Sequence, residues 1–395
     1  AFDFIITWRE TRTRPNAYRF TRTFHTVGQG AFYSEKIEYN DKQVFRMVYD
    51  CGSKSIPESL LAKRIKSDLA NNVDIDILFI SHFDKDHING IYNLNPKLII
   101  IPFLSKDQIF LLKLYNELYE NVYDIKLAET PEELFQEAEV IRVLPDDSNN
   151  DDSNTFSEIN INIDQPHKRK NIKKLKSKSI IQLSTDVNSL WEYIPYNPNW
   201  NKYAESFKEK ILEEDLDWEK LTNPSSNSSY IKKNLSILKN IYDKLGKKNL
   251  HSLIVYSNST IDNCISIKFF SNKFNLYNKC LYNRFYHSGC IYFGDITFNS
   301  EIENSFYKFL SESKRLQKIG LLQVPHHGSI DSKGHKIISS NYLFRKPIIC
   351  IISVGEFNQY GHPSAYLIQE LQRNNGIVLM VTEASSTLIY LEGFI

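Results

Sequence analysis

Residues 80–90 read ISHFDKDHING, directly after the mostly apolar run VDIDILF of residues 73–79. A run of that length and type predicts a strand buried on both faces. The polar stretch behind it predicts the loop at the strand's end. Within six residues that loop carries His82, Asp84, Asp86 and His87, two imidazoles and two carboxylates of the kind that hold divalent cations. The competing reading is a plain polar turn in which Asp84 or Asp86 caps the next helix. A cation site needs further ligands from elsewhere in the chain, and a turn does not.

Reading outward, residues 17–50 alternate like paired strands with a turn at Gly28 and Gly30, and SIPESLLAKRIKSDLA has helical spacing with Pro57 near its first turn. After the opening loop come a strand in PKLIIIPFL, a helix in SKDQIFLLKLYNELYENV and a strand in AEVIRVL. The last 150 or so residues return to short strands and helices, from LHSLIVYS to TLIYLEGFI. This alternation predicts an α/β fold in which helices face a sheet. Between the two halves the composition shifts. PDDSNNDDSN is acidic and KRKNIKKLKSKS is basic, so residues 146–178 are predicted to be an exposed excursion whose removal leaves the fold intact. Residues from about 180 to 248 turn aromatic and then helical. The expected organisation is a first half over 1–145, an insertion over 146–248 ending in a helical cap, and a second half over 249–395.

Three later segments supply what a cation site needs. YFGDI sets Asp295 at the end of an apolar strand, behind a glycine that permits close backbone approach. LLQVPHHGS puts His326 and His327 at another strand end, and ISVGEFNQYGHPS presents Asn358, Tyr360 and His362 at a fourth. A helix start near Ser364 accounts for Ser364 and Pro363 but not for His362.

In order, VGQGAF, VYDCG, ISHFDKDHING, YFGDI, VPHHGS and SVGEFNQYGHPS resemble the metallo-β-lactamase superfamily, and within it the ComEC-type hydrolase domain. The resemblance covers about residues 24–100 and 250–395. It implies an αββα sandwich with a di-metal site at one edge. It implies His82 and Asp84 at one ion and Asp86 and His87 at the other, with Asp295 bridging and either His326 or His327 completing the second site. Asp50, in VYDCG, resembles a residue that receives a ligand's N–H; a buried turn aspartate is the alternative. Asp84 stands where the commoner HxHxDH loop has histidine, and no histidine matches the superfamily's middle ligand, for which Asp262 or Asn263 would substitute. Two divalent ions are therefore expected, Mn²⁺ or Mg²⁺ ahead of Zn²⁺, because the ligands are rich in oxygen.

The implied activity is phosphodiester hydrolysis by a water that the two ions activate, with Asp86 central. His362, or the spare histidine of the pair (His327 if His326 is the ligand), would protonate the leaving group, and Asn358 and Tyr360 would touch substrate oxygens. A nuclease is the leading expectation, with KRKNIKKLKSKS and WEYIPYNPNW able to meet phosphates and bases. A bacterial defence system is one setting for it, with the insertion binding a protein partner. The rival expectations are a hydrolase of small phosphoesters and an interaction protein with a vestigial metal site.

Composition narrows the class. The 395 residues are 42% hydrophobic, enough for a large core, and the net charge of +1 makes no overall demand for a polyanion. Five cysteines without a CxxC pair suggest reduced thiols, and the absence of a long apolar segment suggests a cytoplasmic chain without membrane contact.

Overall fold

The structure, a computed structural model, describes residues 17–119, 123–146, 155–165, 172–199, 201–223, 227–245, 252–261, 268–271, 287–339 and 347–395. In chain order the first eight strands are β1 Tyr18–Phe24, β2 Phe32–Tyr39, β3 Lys42–Cys51, β4 Asp74–Phe79, β5 Asn95–Pro102, β6 Glu139–Val143, β7 Thr155–Asn162 and β8 Lys174–Ser184. The rest are β9 Ser189–Tyr196, β10 Ile254–Ser259, β11 Lys268–Ser271, β12 Gly289–Tyr292, β13 Ile319–Gln323, β14 Ile348–Ser353, β15 Gly376–Val381 and β16 Ile389–Phe394. They form one path in the order β11-β16-β1-β2-β3-β4-β5-β6-β8-β9-β10-β12-β13-β14-β15, with β7 paired to β8.

The path folds back so that its halves face each other across a shared core. Phe20 packs on Trp191 with ring centroids 4.9 Å apart, and Tyr49 stacks on Tyr292 at 4.9 Å, each pair joining one half to the other. The period of two decides which side chains enter this layer. In β5, Leu98 and Ile100 join it while Ile99 and Ile101 face outward, and in β14, Ile349 and Ile351 join it while Ile348, Cys350 and Ile352 face outward. Burial on both faces is why these strands read as uninterrupted apolar runs.

Helices close both outer faces. α1 Glu58–Asp68, α3 Lys106–Tyr119 and α4 Ile125–Glu129 put Leu61, Ile65, Leu112 and Leu127 against Val48, Leu78 and Ile99; the short α2 Lys85–Ile88 lies between α1 and α3 in the chain, and the short α5 Pro131–Leu134 follows α4. On the other side Phe306, Leu310, Leu367 and Leu371 cover Leu322, Ile348 and Ile352. The fold is therefore the expected αββα sandwich. No helix among the described residues is long and apolar enough to cross a membrane. Cys51, Cys290 and Cys350 are buried free thiols, and Cys264 and Cys280 lie outside the described residues.

The middle of the chain departs from expectation. β7, β8 and β9 belong to the sheet, and Ile159, Ile172, Leu175, Leu183, Trp191 and Tyr193 enter the central core. In KLKSKSIIQLS, Leu175, Ile181 and Leu183 are buried while Lys174, Lys176 and Lys178 are only half-buried. The lysines lie on the opposite side of a strand whose apolar face they disguise. Deleting 146–178 would thus strip core residues rather than trim an excursion. The helical block itself is shorter than foreseen. It comprises α6 Asn201–Glu213, α7 Trp218–Thr222, α8 Asn227–Lys233 and α9 Leu235–Leu245, and it packs Phe207, Ile211, Leu238 and Tyr242 against Phe110, Leu114 and Leu118 of α3.

Candidate metal centre

β3 and β4 are parallel in one half, and β12, β13 and β14 are parallel in the other. Their carboxyl ends meet at one edge of the sandwich, the usual place for sites in such sheets. Asp50 is the penultimate residue of β3, His82 to His87 follow β4, Asp295 follows β12, and His326 and His327 follow β13.

The side chains converge. His87 Nε2 lies 3.1 Å from Asp295 Oδ1, His327 Nε2 lies 3.5 Å from Asp86 Oδ2, and His82 Nε2 lies 3.8 Å from Asp84 Oδ1. Asp295 Oδ2 sits centrally, 4.0 Å from His82, 3.9 Å from His326 and 3.8 Å from His327. Asp84 occupies the position before α2, yet its side chain makes no capping bond. Its Oδ1 is buried without a hydrogen bond. The plain-turn reading therefore fails for this residue.

The imidazole tautomers follow from their outer partners. His87 Nδ1 donates to Asp50 Oδ2 at 2.8 Å, and His327 Nδ1 donates to the Ser353 carbonyl at 2.9 Å. The Ser81 hydroxyl donates to Asp50 Oδ2 at 2.6 Å, so it accepts from His82 Nδ1 at 2.7 Å. In each ring the Nδ1 proton is taken, which leaves a lone pair on Nε2. These three Nε2 atoms are buried and form no hydrogen bond. Three lone pairs facing three carboxylates repel one another unless positive charge lies between them. Asp50 also lies within 4.8 Å of His82 and His87. Its two oxygens are already engaged by Ser81 and His87, so its position suits orientation rather than ligation.

The carboxylates show the same conflict. Burial and the Asp86 charge push Asp84 well above the usual carboxyl range. Burial would raise Asp86 too, but the His327 and Lys54 contacts hold it well below that range. Asp295 is likewise buried, and it is held low only when positive charge stands on the imidazole side of it, as protons on the rings or as a cation in their place.

Glycine makes the loop geometry attainable. A Cβ on Gly30, whose φ is 153°, would come within 2.4 Å of the Gly52 carbonyl and 2.7 Å of the Asp86 carbonyl. VGQGAF and VYDCG thus back directly onto the metal loop, with Ala31 N bonded to Asp86 O and Gly90 N to Cys51 O. Asp50, His326 and His327 have φ of 53°, 50° and 53°, conformations that cost roughly 1–3 kcal/mol each and concentrate at functional sites.

The histidine pair is now distinguished. His327 is deep in the cluster with its tautomer fixed, whereas His326 is partly exposed at the mouth, its ring 5.6 Å from that of His362. Burial, and then the neighbouring His326 and His327, push His362 down to about 4, so it is neutral at pH 7. Asn358 does not fit the substrate contact expected of it. Its amide donates to the Gly355 and His362 carbonyls and accepts from the Tyr360 and His362 backbone N–H groups, so its capacity is filled by its own loop. Trp191, Tyr193 and Tyr196 of WEYIPYNPNW are buried in β9 and cannot stack on bases. Asp262 and Asn263 lie outside the described residues.

Sequence reading missed Lys54. It follows β3 in CGSKS, and its Nζ sits 2.8 Å from Asp86 Oδ1 with 40% of the side chain exposed. No motif marks it, and only the folded turn brings it to Asp86.

No family model matches the chain, and no curated protein matches it. Among solved structures it is similar to a long-form RNase Z from yeast, at TM-score 0.30 and 7% identity over 86% of this chain and 37% of that one. It is also similar to a Thermotoga maritima protein assigned as a metallo-beta-lactamase, at TM-score 0.22 and 16% identity over 34% of this chain and 63% of that one. The chain therefore spans less than two thirds of the length of each.

Proposed function

We propose that the chain is a metal-dependent hydrolase of the metallo-β-lactamase superfamily that cleaves phosphodiester bonds, with nucleic acid as substrate. The observation that carries this reading is the set of three buried imidazoles whose free Nε2 lone pairs all face the Asp84, Asp86 and Asp295 carboxylates. In it, His82 and Asp84 would hold one cation and Asp86, His87 and His327 a second, with Asp295, which faces His82, His87 and His327, available to both. Bound divalent cations supply Lewis-acid stabilisation of a phosphoryl oxygen and lower the pKa of a water. With three carboxylates beside three imidazoles, and Asp84 where a histidine-rich loop would have a third ring in 82–87, the set favours Mn²⁺ or Mg²⁺ more than a histidine-rich one would. Asp50 and the Ser353 carbonyl keep the imidazoles in the ligating tautomer. His362 is neutral until a phosphodiester anion docks beside it. That negative charge raises its proton affinity and readies it to protonate the leaving oxygen.

The test is turnover by the chelated protein, re-supplied with one ion at a time, on single-stranded DNA, duplex DNA, RNA and bis(p-nitrophenyl) phosphate. Cleavage of the diester and of at least one nucleic acid, restored best by Mn²⁺ or Mg²⁺, is expected. Turnover of small esters alone would favour the small-phosphoester enzyme, and no turnover with any ion would overturn the hydrolase reading.

Lys54 belongs to this machinery. It pins one oxygen of Asp86 and, being partly exposed, offers a fixed positive charge to the phosphoryl group. Lys54→Met is expected to lower kcat by about 100- to 1,000-fold, on the scale of one lost electrostatic donor. Lys54→Arg should retain most of the rate. A kcat for Lys54→Met within twofold of the parent would remove Lys54 from the site.

A further inference from the structure

The loop after β14 contains two large rings that stay mostly exposed. Phe357 is 92% exposed and Tyr360 is 61% exposed. Isolated exposed apolar residues are ordinary on a protein surface, so their meaning depends on where the loop sits and how firmly it is held.

Both ends of the loop are fixed to the metal centre. At one end, a Cβ on Gly355 would lie 2.6 Å from Ser55 Oγ, so the backbone there packs on the turn that carries Lys54. At the other, the His362 ring lies 5.6 Å from that of His326, which is itself beside Asp295. The span between therefore runs from the turn that carries Lys54 to the His326 side of the cluster. Asn358 clips it shut with its four bonds, and Glu356 ties its base to Thr382 and Glu383. The Tyr360 ring lies 5.9 Å from the His362 ring at an interplanar angle of 19°. Tyr360, His362 and His326 thus form a succession of rings from solvent to the proposed ligands. A rigid loop that shows aromatic faces at the mouth of a phosphodiesterase site is suited to unpaired bases, since every base has a π-face and stacking is worth about 1–3 kcal/mol per base. A duplex keeps its bases stacked on one another and offers no face to such rings.

We infer that the Gly355–His362 loop is a nucleobase platform, with Tyr360 and Phe357 stacking on unpaired bases next to the phosphate being cut, and that the substrate is single-stranded nucleic acid. This inference rests on the nuclease reading above. It also changes the role of Tyr360, which acts here through its ring face rather than through contact with substrate oxygens.

The experiment compares KM for a single-stranded oligonucleotide and for the same strand with abasic positions flanking the cleaved phosphate, in the parent and in Phe357→Ala/Tyr360→Ala. The double variant should raise KM for the normal strand at least tenfold, the effect of about 1.4 kcal/mol of lost stacking. Abasic positions should weaken the parent by a similar factor and the double variant hardly further. Phe357→Trp/Tyr360→Trp should restore KM, which a merely structural role for the two rings would not. If the strand is cleaved but KM does not change in the double variant, or if duplex is cleaved as well as single strand, the platform is wrong and the nuclease reading stands. If bis(p-nitrophenyl) phosphate turns over and no oligonucleotide is cut, the nuclease reading and the platform fall together.

Discussion

Asp86→Ala is expected to lower hydrolysis at least about 100-fold while the protein stays folded. Asp86 faces His327 through one oxygen and Lys54 through the other, so the substitution removes a proposed ligand together with the partner that fixes Lys54. Loss of a ligand weakens both charge stabilisation and water activation, each a large contributor in metal-assisted hydrolysis. The effect on metal-free stability should be small. Three buried carboxylates oppose one another in the metal-free cluster, and burial together with Asp86 raises Asp84. Removing Asp86 relieves that opposition but takes from Lys54 and His327 the carboxylate they hold low, so the two effects oppose each other and the metal-free variant should stay folded and melt close to the parent. Added Mn²⁺ should then raise the melting temperature of the parent, because a ligand that binds only the folded state stabilises it, and should raise that of the variant much less. Full activity in Asp86→Ala would sink the assignment of this loop. Loss of activity together with unfolding at room temperature would show a structural residue instead.

The parts of this arrangement that were legible in the sequence share one property: they stand at the ends of apolar runs. His82 to His87, Asp295 and the His326–His327 pair could be located because strands buried on both faces are conspicuous, and the residue after such a strand emerges at the sheet edge. Lys54 follows a strand in the same way, but lysine is the ordinary residue of a solvated turn, and its meaning depends on where Asp86 points. β8 was hidden for the opposite reason. Its lysines lie outside and its leucines and isoleucines inside, so average composition reported charge where the period of two would have reported a strand. WEYIPYNPNW misled in the reverse sense, since aromatic residues that looked available for stacking are the ones that fill the layer between the sheets. Asn358 was conspicuous because it is polar and close to His362, yet polarity near a site serves equally to shape a loop.

Arg22→Met is expected to cost about 3–5 kcal/mol of folding stability, the usual result of removing one partner from a buried ion pair. Arg22 on β1 and Glu35 on β2 are buried, with Nε and Oε1 2.7 Å apart. Neither charge is satisfied by its own half alone. Arg22 also donates to the Ser288 carbonyl at 2.7 Å, and Glu35 accepts from the Ser257 hydroxyl at 2.7 Å and the Tyr292 hydroxyl at 2.9 Å. Trp191 Nε1 donates to the same Ser257 oxygen at 2.8 Å. Ser257, Ser288, Tyr292 and Trp191 belong to the opposite half, so this network joins the two sheets inside an otherwise apolar layer. Methionine matches much of the arginine volume, and it would leave the Glu35 carboxylate in that layer without its counter-charge. Urea unfolding should therefore show a lower midpoint at an unchanged slope. Arg22→Met/Glu35→Leu should recover much of the loss, because a well-packed apolar pair does not pay for stripping water from two ions. If the single variant loses less than about 1 kcal/mol, water or a shifted side chain compensates Glu35, and the sheets are held by their apolar contacts alone. If the double variant is as unstable as the single one, the hydroxyl and indole partners left behind matter more than the charge, and Ser257 becomes the residue on which the join between the halves depends.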